Sequence, residues 1–133
     1  MSALYVRNTI RGWAAEVFVV PFVDTINAGA TPSNGGIWAS VQFDPNTDTP
    51  ISFCGDVEES GLADFIFSGP PGSGDDEILA AAEASIEALL ARQDAAELVL
   101  LYAHAPAEFS QGTADHSYRV NIGVEYRHYY RRS

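Results

Sequence analysis

The glycine-rich segment GPPGSGDDE at residues 69–77 is the first candidate for a chemical site, because it follows a predicted strand and opens a predicted helix. That context is typical of a P-loop, in which a Lys and a Ser or Thr hold the phosphates and magnesium of a nucleotide. Here Asp75 and Asp76 occupy those two positions. Because two carboxylates repel phosphate, we interpret the segment as a turn before a capped helix and expect no nucleotide cofactor.

The acidic segment DPNTD at residues 44–48 imitates the start of a calcium-binding EF-hand loop, with oxygen-bearing side chains at alternate positions. Such a loop also needs a Gly at its sixth position and a Glu at its twelfth. This chain has Thr49 and Gly55 there. The segment is therefore predicted to be a turn, which Asp, Asn and Pro favour for backbone reasons.

Four polar residues in or beside one long loop could supply a Ser–His–Asp set or a two-histidine metal site: His104, Ser110, Asp115 and His116. No spacing motif supports either assignment. The single cysteine, Cys54, has no second thiol for a zinc site and fits a small core residue. We therefore expect no catalytic residue, no metal site and no cofactor, in a protein that is not an enzyme.

Composition is typical of one folded unit. The chain has 133 residues, of which 47% are apolar, and we predict a single domain over residues 1–133, with its core over roughly residues 2–126 and an exposed C-terminal tail at 127–133. The net charge of −11, with no Lys, disfavours a nucleic-acid-binding surface. No apolar run is long enough to span a membrane and no secretory signal is recognisable, so we expect synthesis in the cytoplasm and no membrane partner.

The acidic residues are concentrated in the middle of the chain. From Asp44 to Glu97 there are 13 acids and one base, Arg92. The remaining Arg lie mostly near the two termini. This distribution would let one molecule associate with the next through oppositely charged surfaces, and it is equally compatible with an acidic surface that keeps the protein in solution.

Hydrophobic periodicity predicts two helices and five strands. One helix is expected at residues 2–17, and a capping pattern at Ser73 and Asp76 predicts a second that ends near Arg92. Strands are predicted at 37–43, 51–56, 62–69, 98–104 and 118–127, with loops at 24–36, 44–50 and 104–116. The fold class that follows is α+β, a mainly antiparallel four- to five-stranded sheet with the N-terminal and central helices packed on one face. Eight large apolar side chains are assigned to the core: Trp13, Trp38, Phe65, Phe67, Ile86, Leu89, Val120 and Ile122.

The order of these segments has a counterpart in a known family. An N-terminal helix holding YVRNTIRGWAAEV leads through VPFVDTIN to a Trp-bearing strand, IWASVQFDP. The run EESGLADFIFSGPPGSGDDEILAAAEASIEALL then joins a strand, a glycine-rich turn and a helix, and the chain closes with LVLLYAHAP and DHSYRVNIGVEYRHYY. This pattern covers nearly the whole chain and resembles the small tail-terminator (tail-completion, or minor tail) proteins of long-tailed bacteriophages.

The resemblance implies a structural virion protein of the tail or neck, whose α+β subunits form a ring, usually six-fold, on the end of the tail tube. Such a ring stops tube polymerisation and presents a surface to the head–tail connector. The implied partners are further copies of the chain, the tail tube protein and the connector protein, and DNA passes through the lumen without specific binding. The family has no catalytic residues to carry over.

The residues predicted to contact neighbouring subunits combine Arg with aromatic and loop-forming residues, a composition typical of interfaces. They are Arg127, Arg131, Arg132, Tyr129, Tyr130, Phe109, Pro70 and Pro71. The three Arg are expected to bind carboxylates of a neighbouring subunit, since charge-assisted hydrogen bonds to guanidinium groups are strong.

Two other functions remain open. A head–tail connector or neck protein would share the size, charge and ring assembly and would differ only in its neighbours. The alternative from another class is a small intracellular ligand-binding domain or enzyme, which predicts a partly apolar pocket closed by the loop at 104–116. Self-association distinguishes the classes, because a ring requires it and a small enzyme does not.

Overall fold

The computed structural model describes residues 2–23, 37–44, 47–51, 55–69, 75–93, 97–103, 107–109 and 118–131. Within these ranges the chain forms two helices, α1 (Ser2–Val17) and α2 (Asp75–Arg92). Six strand segments accompany them: β1 (Trp38–Phe43), β2 (Thr47–Pro50), β3 (Asp56–Gly69), β4 (Leu98–Ala103), β5 (Ala107–Phe109) and β6 (Tyr118–Arg131). In the part of the chain that the structure describes, neither helix is long and apolar enough to cross a membrane.

The two longest strands, β3 and β6, form the centre of the sheet. They pair antiparallel over their whole length, from Asp56 opposite Arg131 to Gly69 opposite Tyr118. On the free side of β3 lie β1 and β2, and on the free side of β6 lie β4 and β5, all antiparallel to their neighbours. The described sheet is therefore four strands wide, although six segments build it.

Alternation along the central strands gives the sheet one apolar face, which we call the inner face. Phe65 lies opposite Ile122 and Phe67 opposite Val120, and all four side chains are buried. Both helices contribute to the same core, with residues spaced three or four apart so that they share one helix face: Val6, Ile10, Trp13 and Ala14 from α1, and Ile78, Ala82, Ile86 and Leu89 from α2. The predicted α+β fold, with an N-terminal and a central helix on one face of an antiparallel sheet, is confirmed.

One core assignment is wrong. Trp38 lies opposite Ser68 in the β1–β3 pair and is only half-buried, whereas Ala39, opposite Phe67, enters the core. Because successive side chains of a strand point to opposite faces, Trp38 belongs to the outer face of the sheet. The other seven predicted core residues are buried.

The structure also corrects the strand boundaries in the middle of the chain. The segment at 44–50, predicted to be a turn, contains β2. The predicted strand at 62–69 is confirmed as the second half of a longer strand, β3, which begins at Asp56, the last residue of the predicted strand at 51–56. The first half of β3 is polar, so apolar alternation does not reveal it. It extends because β6 and β2 both pair with it. Residues 52–54, and with them Cys54, lie outside the described residues.

The C-terminal segment is not the exposed tail that the sequence predicts from residue 127. β6 continues to Arg131, and His128 within it is buried. The physical reason is that the first half of β3 offers hydrogen-bonding partners to residues 127–131. Of the predicted loops, 24–36 lies outside the described residues, and the 104–116 loop contains β5 at Ala107–Phe109.

Close packing at Gly61 yields the first prediction. A Cβ at Gly61 would lie 2.5 Å from the hydroxyl oxygen and 2.8 Å from Cζ of the buried Tyr126, whereas a Cβ at Gly12 in α1 would meet nothing within 4 Å. We expect Gly61→Ala to lower the free energy of unfolding by about 1–3 kcal/mol through overpacking. Gly12→Ala, the control, should raise it by about 0.5–1 kcal/mol, because Ala favours a helix. Urea denaturation measures both, and equal stability of the two variants would contradict the packing at Gly61.

Candidate functional site

A buried carboxylate–imidazole pair lies on the inner face, near one end of the sheet. The β3–β6 register places Glu59 directly opposite His128. Their side chains meet at 3.2 Å, Glu59 Oε1 to His128 Nδ1. Only 1% of Glu59 and 4% of His128 is exposed to solvent. Charged and titratable groups are rarely this buried unless they are paired, so the contact is the most unusual chemical feature of the described residues.

Aromatic rings surround the imidazole. The ring centroid of Tyr5, in the first turns of α1, lies 5.2 Å from that of His128 with a tilt of 34°. Tyr130, two residues along β6 and hence on the same face, stacks at 5.6 Å with an interplanar angle of 18°. These two rings separate the imidazole from solvent, and the helix that covers the core therefore also covers the polar pair.

The hydroxyl groups of the same two tyrosines point to exposed carboxylates. Tyr5 donates a hydrogen bond of 2.7 Å to Glu97 Oε1, and Tyr130 donates one of 3.1 Å to Asp48 Oδ2 in β2. The hydrogen bond from Tyr5 lowers the pKa of Glu97, with smaller contributions from a hydrogen bond to its own backbone and from the charge of His128. The cluster thus links α1, β2 and β6 to the residue that precedes β4.

A third tyrosine, Tyr126, completes the inner-face row. It lies opposite Gly61, next to the Glu59–His128 pair along both strands, and is 3% exposed. Burial raises the pKa of its phenol to about 12, and the nearby charge of Glu59 adds to the shift. This end of the inner face is therefore a buried polar layer built from Glu59, Tyr126 and His128.

A carboxylate hydrogen-bonded to an imidazole can orient it as a general base. Catalysis also requires that a substrate can reach the imidazole. Both side chains are almost fully buried, and the rings of Tyr5 and Tyr130 pack against the imidazole, so little of its surface is open to a substrate. Among the described residues, no group of three or more His, Cys, Asp or Glu side chains is arranged to hold a metal ion. The pair joins the two central strands through a buried polar contact.

Two of the surface grooves formed by the described residues lie near the pair. One, which we call the end groove, has a volume of about 250 Å³ and is lined by Ile51, Asp56, Val57, Tyr129 and Tyr130. Ile51 is 54% and Tyr129 37% exposed. The second, of about 360 Å³, has a mostly polar lining that includes Asp44, Glu125 and Arg127.

The structure brings some of the predicted contact residues together. Tyr129 and Tyr130 both line the end groove, while Arg127 lies on the outer face with its Nε 3.9 Å from Glu58 Oε1 of the same chain. Arg131 occupies the last position of β6, opposite Asp56, and Phe109 ends β5, opposite Arg119.

Other sequence candidates lie outside the described residues: Arg132, Pro70, Pro71, His104, Ser110, Asp115 and His116. The Glu59–His128 pair itself was missed. Glu59 lies in an acidic run, where a single carboxylate does not stand out, and His128 lies in the predicted tail. The signal that could have found them is the two-residue alternation of β6, which continues from Tyr126 through His128 to Tyr130.

Removing the carboxylate of the pair should destabilise the fold. We expect Glu59→Ala to lower the free energy of unfolding by about 1–3 kcal/mol, because it leaves a buried imidazole nitrogen without its partner. Glu58→Ala is the matched control: the neighbouring residue faces the other side of the sheet and makes a longer contact to Arg127, which is 47% exposed, so its loss should stay below about 1 kcal/mol. Thermal or urea unfolding at neutral pH gives both values, and similar losses would contradict a special role for the buried pair.

Alkaline stability should depend on Tyr126. Its pKa of about 12 in the folded chain exceeds the value of about 10 for an unfolded tyrosine. The unfolded state therefore loses its proton first, so the stabilisation is complete below about pH 10 and disappears as the pH rises towards 12. We expect Tyr126→Phe to lose less stability than wild type between about pH 9 and 11.5, measured by urea unfolding across this range. Tyr129→Phe, at an exposed position, should follow the wild-type curve; a Tyr126→Phe curve parallel to wild type would contradict the linkage.

Comparison with known proteins adds no family assignment. No protein-family model matches the chain, and no curated protein matches it. The function must therefore be argued from the surfaces and the buried groups themselves.

Proposed function

We propose that this chain is a structural virion protein, a ring-forming tail terminator that caps the tail tube of a long-tailed bacteriophage and joins it to the head connector. The observation that carries the proposal is the apolar surface at the end groove. Ile51 and Tyr129 are exposed there, and Leu4 and Tyr5 are exposed in the first turns of α1, whose Tyr5 ring contacts His128 beside Tyr130. Exposed apolar clusters bordered by polar residues mark protein–protein contacts.

A ring needs a second, different surface on each subunit, because a head-to-tail contact joins unlike patches. The solvent side of α2 is chemically distinct from the end groove, with the exposed acids Asp76, Glu77, Glu83 and Glu87. In the proposed ring the apolar end groove of one subunit meets a different surface of the next, and the acidic side of α2 stays outside that contact. An acidic surface that faced the lumen would repel DNA and let it pass without binding.

The outer face of the sheet is mixed in charge. Arg119 and Arg127 lie among Glu58, Asp64 and Glu125 on alternate positions of β3 and β6. Arg127 already has a carboxylate of its own chain nearby, so a neighbouring subunit would have to compete with Glu58 for it. For this reason the proposal relies on the apolar end groove more than on the Arg residues.

The ligand-binding alternative is supported by a specific feature, the polar groove of about 360 Å³ that contains Asp44, Glu125 and Arg127. A groove with both acidic and basic side chains could hold a small polar ligand. It does not use the buried Glu59–His128 pair, which lies on the other face of the sheet. A neck protein of the head–tail connector would present the same surfaces as a terminator, with other neighbours.

Self-association distinguishes the ring-forming functions from the ligand-binding alternative. Light scattering coupled to size exclusion should find a ring-sized particle for the wild-type protein. The double variant Ile51→Ser/Tyr129→Ser should dissociate at least roughly tenfold more readily, since buried apolar anchors dominate interface energies. Circular dichroism checks that it still folds.

Val19→Ser is the matched control, because Val19 is also apolar and is 62% exposed, but it follows α1 rather than lining the end groove. The control should assemble as wild type does. A wild-type protein that stays monomeric at every concentration and salt tested contradicts the ring and favours a stand-alone ligand-binding domain.

A further inference from the structure

The outer edge of β4 is the feature from which a further inference follows. Strand β4 has the sequence LVLLYA, with no charged residue and no proline. Leu101 within it is 41% exposed. Such a strand at the edge of a sheet is a template for pairing with a strand of another molecule, and natural proteins normally carry a device that prevents it.

The orientation of the β4 backbone follows from its pairing with β6. The amide of Tyr129 donates to the carbonyl of Glu97, and Val99 lies opposite Arg127 two residues along. In an antiparallel pair the hydrogen-bonded positions alternate. The amide and carbonyl groups of Leu98 and Leu100 therefore point away from β6, to the side where the described residues contribute no further strand.

The side chain of Gln93, the residue after α2, occupies this edge at Leu100. Its Oε1 accepts a hydrogen bond of 2.8 Å from the Leu100 amide, and its Nε2 donates one of 3.2 Å to the Leu100 carbonyl. Nε2 also donates a bond of 2.9 Å to the carbonyl of Leu90, one of the carbonyls that a helix end leaves without an intrahelical partner. One carboxamide thus reproduces at Leu100 the donor and acceptor of a neighbouring strand and ties them to the end of α2.

We propose that Gln93 closes the β4 edge against addition of a strand from a second copy of this chain. The other sheet edge has comparable protection. At β1 the amide and carbonyl of Ala39 are bonded to the carbonyl of Pro21 and the amide of Val23. The short, exposed β2 carries Asp48 and ends at Pro50, residue types that hinder edge pairing. Gln93 occupies hydrogen-bonding groups on the outer edge of β4, as residues 21–23 do on the outer edge of β1.

The test uses the isosteric variant Gln93→Met, which keeps the length of the side chain but removes its hydrogen bonds. We expect amide exchange at Leu100 to become up to about tenfold faster and the protein to form thioflavin-positive, sheet-rich aggregates at concentrations where wild type does not. The matched control is Gln42→Met, because Gln42 is an exposed glutamine on the other edge strand. It should behave as wild type.

A second substitution separates edge exposure from simple loss of stability. Adding Leu101→Lys to Gln93→Met places a charge on the open edge and should suppress the aggregates, although it cannot restore the hydrogen bonds to Leu100. Aggregation that persists in the double variant would assign the effect to destabilisation and overturn the proposal. Unchanged exchange at Leu100, or a Gln93→Met protein that associates no more than wild type, would overturn it as well. None of these outcomes depends on whether the chain forms a ring.

Discussion

The antiparallel register between β3 and β6 is the constraint on which the other features depend. It runs for 14 residues of each strand and decides which side chains meet on the inner face. A shift by one residue would place Phe65 and Ile122 on opposite faces of the sheet, so the inward apolar side chains of one strand would face away from the helices. The apolar alternation of the two strands excludes that error. It does not exclude a shift by two residues, which keeps every side chain on its own face.

The polar half of the β3–β6 pair excludes a shift by two residues. With a shift of two residues, His128 would face Val57 or Gly61, and both the imidazole and the Glu59 carboxylate would be buried without each other. Tyr126 would also lose the glycine that accommodates its ring. Burying an unpartnered polar group costs more than the pair gains. The Glu59–His128 pair and the Gly61–Tyr126 contact therefore act as specificity determinants for the register rather than as large sources of stability.

The same residues explain where sequence analysis succeeds and where it fails. Both helices and the apolar halves of β3 and β6 follow from periodicity, because nearly all of their inward positions hold apolar side chains. The other halves place a glutamate, a glycine and a histidine inward, and a pattern that scores apolar alternation stops there. As a result, periodicity predicts strands at 51–56 and 62–69 with nothing assigned between them, and an exposed tail from residue 127. The buried pair is missed because neither Glu59 nor His128 is assigned to the core, although the two-residue alternation of β6 continues through His128.

The edges of the sheet restrict how copies of this chain can associate. If Gln93 closes β4 and residues 21–23 close β1, addition of strands cannot drive assembly, and subunits must meet through side chains. Contacts of that kind have a defined geometry and can close a ring, whereas open sheet edges favour continued addition. The end groove, where Ile51 and Tyr129 are exposed, meets this requirement without using an edge amide of β4. In the proposed tail terminator this separation would leave the described strands without a template for further growth.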